Sequence, residues 1–171
     1  EAPETGLSIG NRVFSDIDGD GRFEPQSGEL GIDGVLLNLY FDSDASGTLS
    51  LADTWLASTL STGAGFYRFA DVPEGDFIVT VDAANFASGG QLEGLPSSWG
   101  NNQGGQAPDP DNDVDDDDNG SPAAVFGVVS RAISLRSGTE PDSAVDGDGA
   151  DGNQTLDFGF QAHLCLGDRV F

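Results

Sequence analysis

The sequence has no lysine and no methionine, and only one cysteine and one histidine among 171 residues. Each shortage closes a class of function. Cys165 alone forms neither an intrachain disulfide nor a multi-cysteine zinc site. His163 is the only imidazole, and paired with Cys165 at i, i+2 it lacks an orienting acid for nucleophilic catalysis. The basic residues are six arginines against 30 acids, a net charge of −24. Such a surface repels nucleic-acid phosphates and anionic lipid, which excludes those partners, and it attracts cations. No apolar run approaches the roughly 18 residues of a membrane span, so no membrane insertion is expected. The opening residues Glu1-Ala2-Pro3-Glu4-Thr5 do not read as a signal peptide, so any targeting segment is expected outside this sequence.

What the chain does have is glycine, 25 residues of it, with 8 prolines and 11 phenylalanines. Apolar residues recur with a period of two. Val35, Leu37, Leu39 and Phe41 alternate with Leu36, Asn38 and Tyr40, and Phe77, Val79 and Val81 with Ile78, Thr80 and Asp82. Further strands are expected at Trp55 to Thr59, Phe66 to Phe69, Ala124 to Leu135 and Thr155 to Phe160. Turn-formers such as Gly63-Ala64-Gly65 and Pro73-Glu74-Gly75 separate them. No segment carries a helical stripe. Seven or eight short strands of this kind predict an all-β sandwich. Two stretches break the rhythm, a Gly-, Pro-, Asn- and Asp-rich segment at 83–123 and an acidic one at 137–154. A loop as long as the first needs something to order it.

The acids are patterned. Asp42-Ser43-Asp44-Ala45-Ser46-Gly47-Thr48 with Asp53 has the spacing of a calcium loop. Alternating side-chain oxygens sit on one side of a turn, glycine at position six allows the bend, position seven offers a carbonyl, and an acid at position twelve closes the shell. The expected ligands are Asp42, Asp44, Ser46, the Thr48 carbonyl, Ser50 through water, and Asp53. A second loop, Asp16-Ile17-Asp18-Gly19-Asp20-Gly21-Arg22-Phe23-Glu24, offers Asp16, Asp18, Asp20, the position-seven residue Arg22, and Glu24. Its position twelve is Ser27, so the closing acid is expected to be Glu29 at position fourteen. Two more clusters flank the Ala124–Leu135 strand: Asp111, Asp113, Asp115 and Asp117 within 109–118, and Asp146, Asp148 and Asp151 within 146–153. Neither is a complete loop, and ions shared between them are the expectation. Hard oxygen ligands disfavour Zn²⁺, and multi-carboxylate shells suit Ca²⁺ better than Mg²⁺. Three or four Ca²⁺ ions are expected. The alternative for each cluster is a solvated acidic turn.

One repeat runs the length of the chain. Ile9-Gly10-Asn11-Arg12-Val13-Phe14 returns 157 residues later as Leu166-Gly167-Asp168-Arg169-Val170-Phe171. The simplest reading is a tandem array, with residues 1–163 forming one module and 164–171 the first strand of the next, or a strand exchanged between subunits.

With these residues placed, the chain resembles the SdrD B-like repeat family, related to Cna B-type repeats. The resemblance rests on Ile9 to Phe14 running into Asp16 to Gly21, then Gly31-Ile32-Asp33-Gly34-Val35, Gly65-Phe66-Tyr67-Arg68-Phe69, Val72-Pro73-Glu74-Gly75-Asp76-Phe77-Ile78-Val79, and Asp157-Phe158-Gly159-Phe160. It implies an immunoglobulin-like (Cna B-type) β-sandwich with long acidic calcium-binding loops. It also implies a structural role: a bacterial, extracellular module of a cell-surface stalk, filament or adhesin, rigidified by calcium, with neighbouring copies of itself as partners. The spacing to Glu29 and the size of 83–123 depart from the compact family form. Some Cna B-type relatives carry a Lys–Asn isopeptide bond, which a chain without lysine cannot form. The alternative is an adhesive module that recognises a glycan or protein ligand through 83–123, with Trp99 as a stacking residue. Catalysis is not expected. Asn119-Gly120-Ser121 and Asn153-Gln154-Thr155 match the N-glycosylation acceptor pattern.

Overall fold

The strand at the centre of each sheet is buried on both faces, and the fold is arranged around these two. The computed structural model describes residues 6–98, 107–147 and 149–161. The strands in chain order are β1 (Leu7–Asp16), β2 (Leu36–Phe41), β3 (Thr54–Leu60), β4 (Phe66–Val72), β5 (Gly75–Val81), β6 (Ser121–Ala123), β7 (Gly127–Val129), β8 (Ile133–Leu135), β9 (Gly152–Asn153) and β10 (Phe158–Gln161). One sheet has the order β10-β1-β4, with β9 also on β1. The other has the order β3-β2-β5-β7-β6, with β8 also on β5. The architecture is the all-β sandwich that the alternation predicts. Among the described residues the helical elements are three short 3₁₀ turns, at Pro25–Ser27, Ala83–Phe86 and Pro110–Asn112. None is long and apolar enough to cross a membrane.

β1 and β5 are the two central strands. In β5, Phe77, Ile78, Val79 and Val81 are fully buried and Thr80 is 1% exposed, so both alternating faces are covered. In β1, Ile9, Val13 and Phe14 are fully buried. Leu37 and Leu39 of β2, Tyr67 and Phe69 of β4, Ile133 and Leu135 of β8, and Phe158 and Phe160 of β10 complete one continuous core between the sheets. The expected strand over Ala124–Leu135 is a turn at 124–126 followed by two short strands. β7 pairs with Thr80 and Val81, β8 with Gly75 to Phe77, and Ser130 Oγ fills the gap by accepting from Val79 N. The break lets one segment follow β5 through its twist.

The topology separates the two ends of the sandwich. β10 runs parallel to β1, Val13 opposite Phe158 and Asp16 opposite Gln161. The chain therefore enters β1 at one pole and leaves β10 at the other. β4 is antiparallel to β1, with Arg12 opposite Phe66 and Leu7 opposite Val72. β2 is antiparallel to β5, with Phe41 opposite Phe77. The loop after β1 consequently lies at the Asp16 pole, and the loop between β2 and β3 leaves from the Leu7 pole.

Much of the 83–123 segment is ordered by packing. Asn85 accepts from Leu36 N and donates to Leu36 O, extending the edge of β2. Leu92 is fully buried, and Ser97 bridges Phe160. Trp99, the candidate stacking residue, lies outside the described residues, as do Asp148 and the second repeat copy.

At the foot of the first acidic loop, three backbone segments cross. Val13 N donates to Gly65 O and Ile32 N to Val13 O, both at 2.8 Å. A Cβ on Gly65, whose φ is +84°, would stand 2.1 Å from Val13 O; one on Gly31 would stand 1.7 Å from Ala64 O. Only glycine satisfies both the left-handed backbone and the contact. Gly65→Ala is expected to cost about 1–3 kcal/mol or more by overpacking, read from urea unfolding. A loss below about 0.5 kcal/mol, the range of an ordinary surface change, would show that the crossing does not require glycine.

Candidate metal centre

The two D-x-D loops prove to be the same device built twice. In each, the first aspartate is buried and accepts from the loop's own backbone. Asp16 takes Gly19 N at 2.6 Å and Gly21 N at 2.9 Å. Asp42 takes Ser46 N at 3.1 Å and Gly47 N at 2.8 Å. Gly21 and Gly47, both at position six, have φ of +78° and +74°. The closing acid is also common to both. Glu29 accepts from Ile17 N at 2.9 Å and Glu24 N at 2.6 Å. Asp53 accepts from Ser43 N at 2.9 Å and Ser50 N at 2.7 Å. Those donors are positions two and nine of each loop. Glu29 therefore occupies in the first loop the place that Asp53 occupies in the second. The two extra residues are absorbed by the 3₁₀ turn Pro25–Ser27, and the longer glutamate spans the difference.

The remaining expected ligands of these loops divide into convergent and divergent groups. Asp16, Asp18 and Asp20 bring one oxygen each within 4.8 Å of one another, and so do Asp42, Asp44 and Asp53. One ion with oxygens at about 2.3–2.6 Å places opposite ligands roughly 4.6–5.2 Å apart, so each trio fits around a single Ca²⁺. Ser46 Oγ donates to the Thr48 carbonyl at 2.9 Å, keeping both groups at the mouth of the second loop. Hydroxyls of Ser46 and Ser50 hold the Asp44 carboxyl below its usual range. In the first loop Glu24 turns aside to Ser27 Oγ, 3.3 Å away, and Arg22 bridges Asp117 through its backbone. Burial, and then the charges of Asp16 and Asp18, raise Glu29.

A third trio joins Asp115 to two residues absent from the sequence-based ligand set, Asp116 and Asp157, within the same 4.8 Å. Asp157 is fully buried. It accepts from Arg12 N at 2.8 Å and Asp116 N at 2.9 Å. Its carboxyl is pushed well up, by burial first and then by Asp115 and Asp116. The sequence marks Asp157 as the start of the Asp157-Phe158-Gly159-Phe160 motif, but an isolated acid before a strand carries no ligand spacing. Arg12 is the counter-charge: its guanidinium lies between the rings of Phe23 and Phe66, 4.2 and 4.0 Å from their centroids, and it lowers Asp115 and Asp116 against the effect of burial.

The other acids of the run are brought elsewhere. Asp109 pairs with Arg131 at 2.7 Å, and Asp111 accepts from Ser134 N at 2.7 Å. Both border a cleft with Asp42 and Gly47 of the second loop. At the run's far end, Asp116 O accepts from Phe23 N and Asp118 N donates to Gly21 O, both at 2.8 Å. The acidic run is thus a strap from one D-x-D loop to the other. The expected meeting of the 109–118 and 146–153 clusters occurs through Asn153, whose Nδ2 donates to Asp113 at 3.0 Å and to the buried Glu140 at 3.4 Å. Asp146 raises Asp115 electrostatically and accepts from Gln154 N. Asp151 is exposed and docks by its backbone on Ser8. Asp148 lies outside the described residues. The asparagines of both glycosylation patterns are buried, Asn119 at 1% and Asn153 at 2% exposure, and both are hydrogen-bonded inside this network. They are structural residues, inaccessible to a glycan in the folded chain.

The family profile of the SdrD B-like domain matches residues 7–147. Comparison with curated protein sequences gives no match. Among solved structures, the chain is similar to the major pilin SpaA of Corynebacterium diphtheriae, at 15% identity and a TM-score of 0.45, over 91% of this chain and 30% of that one. The chain thus spans under a third of that pilin.

Burial raises Asp111, Asp115, Asp116, Glu140 and Glu29, and carries Asp117 to about 6. A carboxyl raised on folding keeps a proton that the unfolded chain, titrating near 3.9, releases. The stability it contributes is present at low pH and lost as pH rises through the folded value. In chelator, the unfolding free energy is therefore expected to fall between about pH 4 and pH 7. Denaturant titrations across that range test it, and a rise would contradict it.

Proposed function

The chain belongs to the SdrD B-like domain family, and on that premise we propose that it is a calcium-binding structural module of an extracellular bacterial stalk, filament or adhesin, with no catalytic role. The observation that carries the calcium assignment is the matched wiring of the two loops. Buried first acids, left-handed glycines at position six and closing acids held by positions two and nine recur in segments of different sequence and length. A solvated turn has no reason to repeat all three. Asp16, Asp18, Asp20 and Glu29 would hold one ion and Asp42, Asp44, Ser46, the Thr48 carbonyl and Asp53 another. Asp115, Asp116 and Asp157 would hold a third, at the strap. Bound Ca²⁺ supplies positive charge where the carboxylates converge. The chain's own backbone donors orient those carboxylates, and the strap ties the loops to each other.

The module reading places one unit at residues 1–163 and the start of the next at 164–171. The separation of the poles supports it, because entry at Leu7 and departure after Gln161 at opposite ends suit an extended array. Neighbouring copies are then the principal partners. Without a lysine–asparagine cross-link, calcium is the source of stiffness.

Thermal unfolding in calcium against chelator tests the reading. A ligand that binds only the folded chain stabilises it by about 4 kcal/mol per site at a thousand times its Kd, so a large rise in Tm with calcium is expected. Glu29→Gln and Asp53→Asn should each remove part of that rise, beyond the loss of Tm in chelator that follows from setting an amide NH2 against a backbone N–H of the loop. Equal Tm and equal protease resistance in calcium and chelator would defeat the proposal.

A further inference from the structure

The Asp16 pole carries an apolar groove of about 560 Å³, bordered by Ala83, Phe86, Leu95, Pro96, Ala124 and Val128. None of its lining residues is charged, which is unusual ground in a chain of net charge −24. The groove lies where the chain leaves the module. Gln161 N donates to Pro96 O at 2.8 Å, and Ser97 bridges Phe160. The last strand therefore ends on the groove's rim.

The internal repeat limits how far a second copy can stand from that rim. At its spacing of 157 residues, Leu164 is the counterpart of Leu7, and only Ala162 and His163 separate it from Gln161. Three residue steps reach at most about 10–11 Å. In the module itself Leu7 marks the opposite pole, where it lies beside Val72, Pro73 and Glu74 in the turn between β4 and β5. The corresponding pole of a following copy therefore starts within that reach of the groove's rim.

We propose that this groove is the seat for the Leu7 pole of the next copy of the module, with the exposed Pro73 turn of that copy as its nearest element. The inference rests on the tandem reading above and adds the contact that sets the angle between units. The contact is heterologous: unlike surfaces meet, so each added copy presents a fresh groove and the array extends without closing. The seat sets no charge of its own opposite the exposed Glu74 of the Pro73 turn, so no like-charge pair is brought together at the junction. The groove faces that junction, while the D-x-D loop at the same pole leaves its acids for the ion.

A two-module chain tests this, made of residues 1–161 followed directly by residues 5–171, which preserves the repeat spacing. In calcium, ¹⁵N relaxation should give both modules one common correlation time, at least about twofold longer than that of the single chain. Ala124→Glu in the first module puts a charge on the exposed groove wall. It should return the two modules to separate, shorter correlation times, while the same substitution in the single chain leaves its calcium-bound Tm unchanged. If Ala124→Glu fails to fold, Ala83→Glu, at another exposed residue of the lining, is read in the same way. Independent tumbling of the unsubstituted modules, or joint tumbling that survives the charged groove, would overturn the proposal. Neither result touches the calcium-dependent Tm of the single chain, so this inference fails separately from the functional one.

Discussion

Mutual repulsion of carboxylates is the constraint on which this structure depends. At an effective dielectric near 20, two carboxylate charges about 5 Å apart repel by about 3 kcal/mol. The fold nonetheless draws Asp115, Asp116 and Asp157 within 4.8 Å and buries Asp157 completely. It tolerates this because backbone N–H groups point at the acids from several directions, as with Asp16, Asp42, Glu29 and Asp53. Arg12, stacked between two phenylalanines, adds one fixed positive charge. Donors and one arginine do not neutralise the set, and the raised carboxyls show what remains. On the proposed function, a divalent cation at each convergence would complete the balance.

The same donors couple the acidic segments to the sandwich. Asp157 N donates to Asn119 Oδ1, and Asp157 itself accepts from Arg12 in the middle of β1. The strap is paired to the first loop through Gly21 and Phe23, and reaches β8 through Asp111. An ion bound in any of these places therefore acts on segments that hold both sheets, not on a detached turn. This is the physical sense in which calcium could stiffen a module whose core is already continuous.

The fold is legible in the sequence where alternation is strict. The strands β2 and β5 are legible because Val35, Leu37 and Leu39, and Phe77, Val79 and Val81, alternate into one core. The run 124–135 reads as one strand because composition cannot reveal the one-residue change of register at Ser130. The acid trios of the two D-x-D loops are legible because their spacing is local. Glu29 is visible as a candidate, but its equivalence to Asp53 emerges only when the donors at positions two and nine are compared. Asp116, Asp157 and Arg12 come together from distant parts of the chain, as Glu140 and Asp113 do around Asn153, and no local spacing records that. The acceptor pattern around Asn119 and Asn153 misleads for the same reason, since burial is a property of the fold.

Two loops of different length are closed in one way, and the calcium assignment stands on that equivalence. A crystal structure of the chain grown in calcium, with anomalous difference density recorded, addresses it directly. The expected result is an anomalous peak in each loop, with Glu29 coordinating the first ion and Asp53 the second. Calcium-saturated crystals without density at either loop, or with ions that Glu29 and Asp53 do not touch, would contradict it.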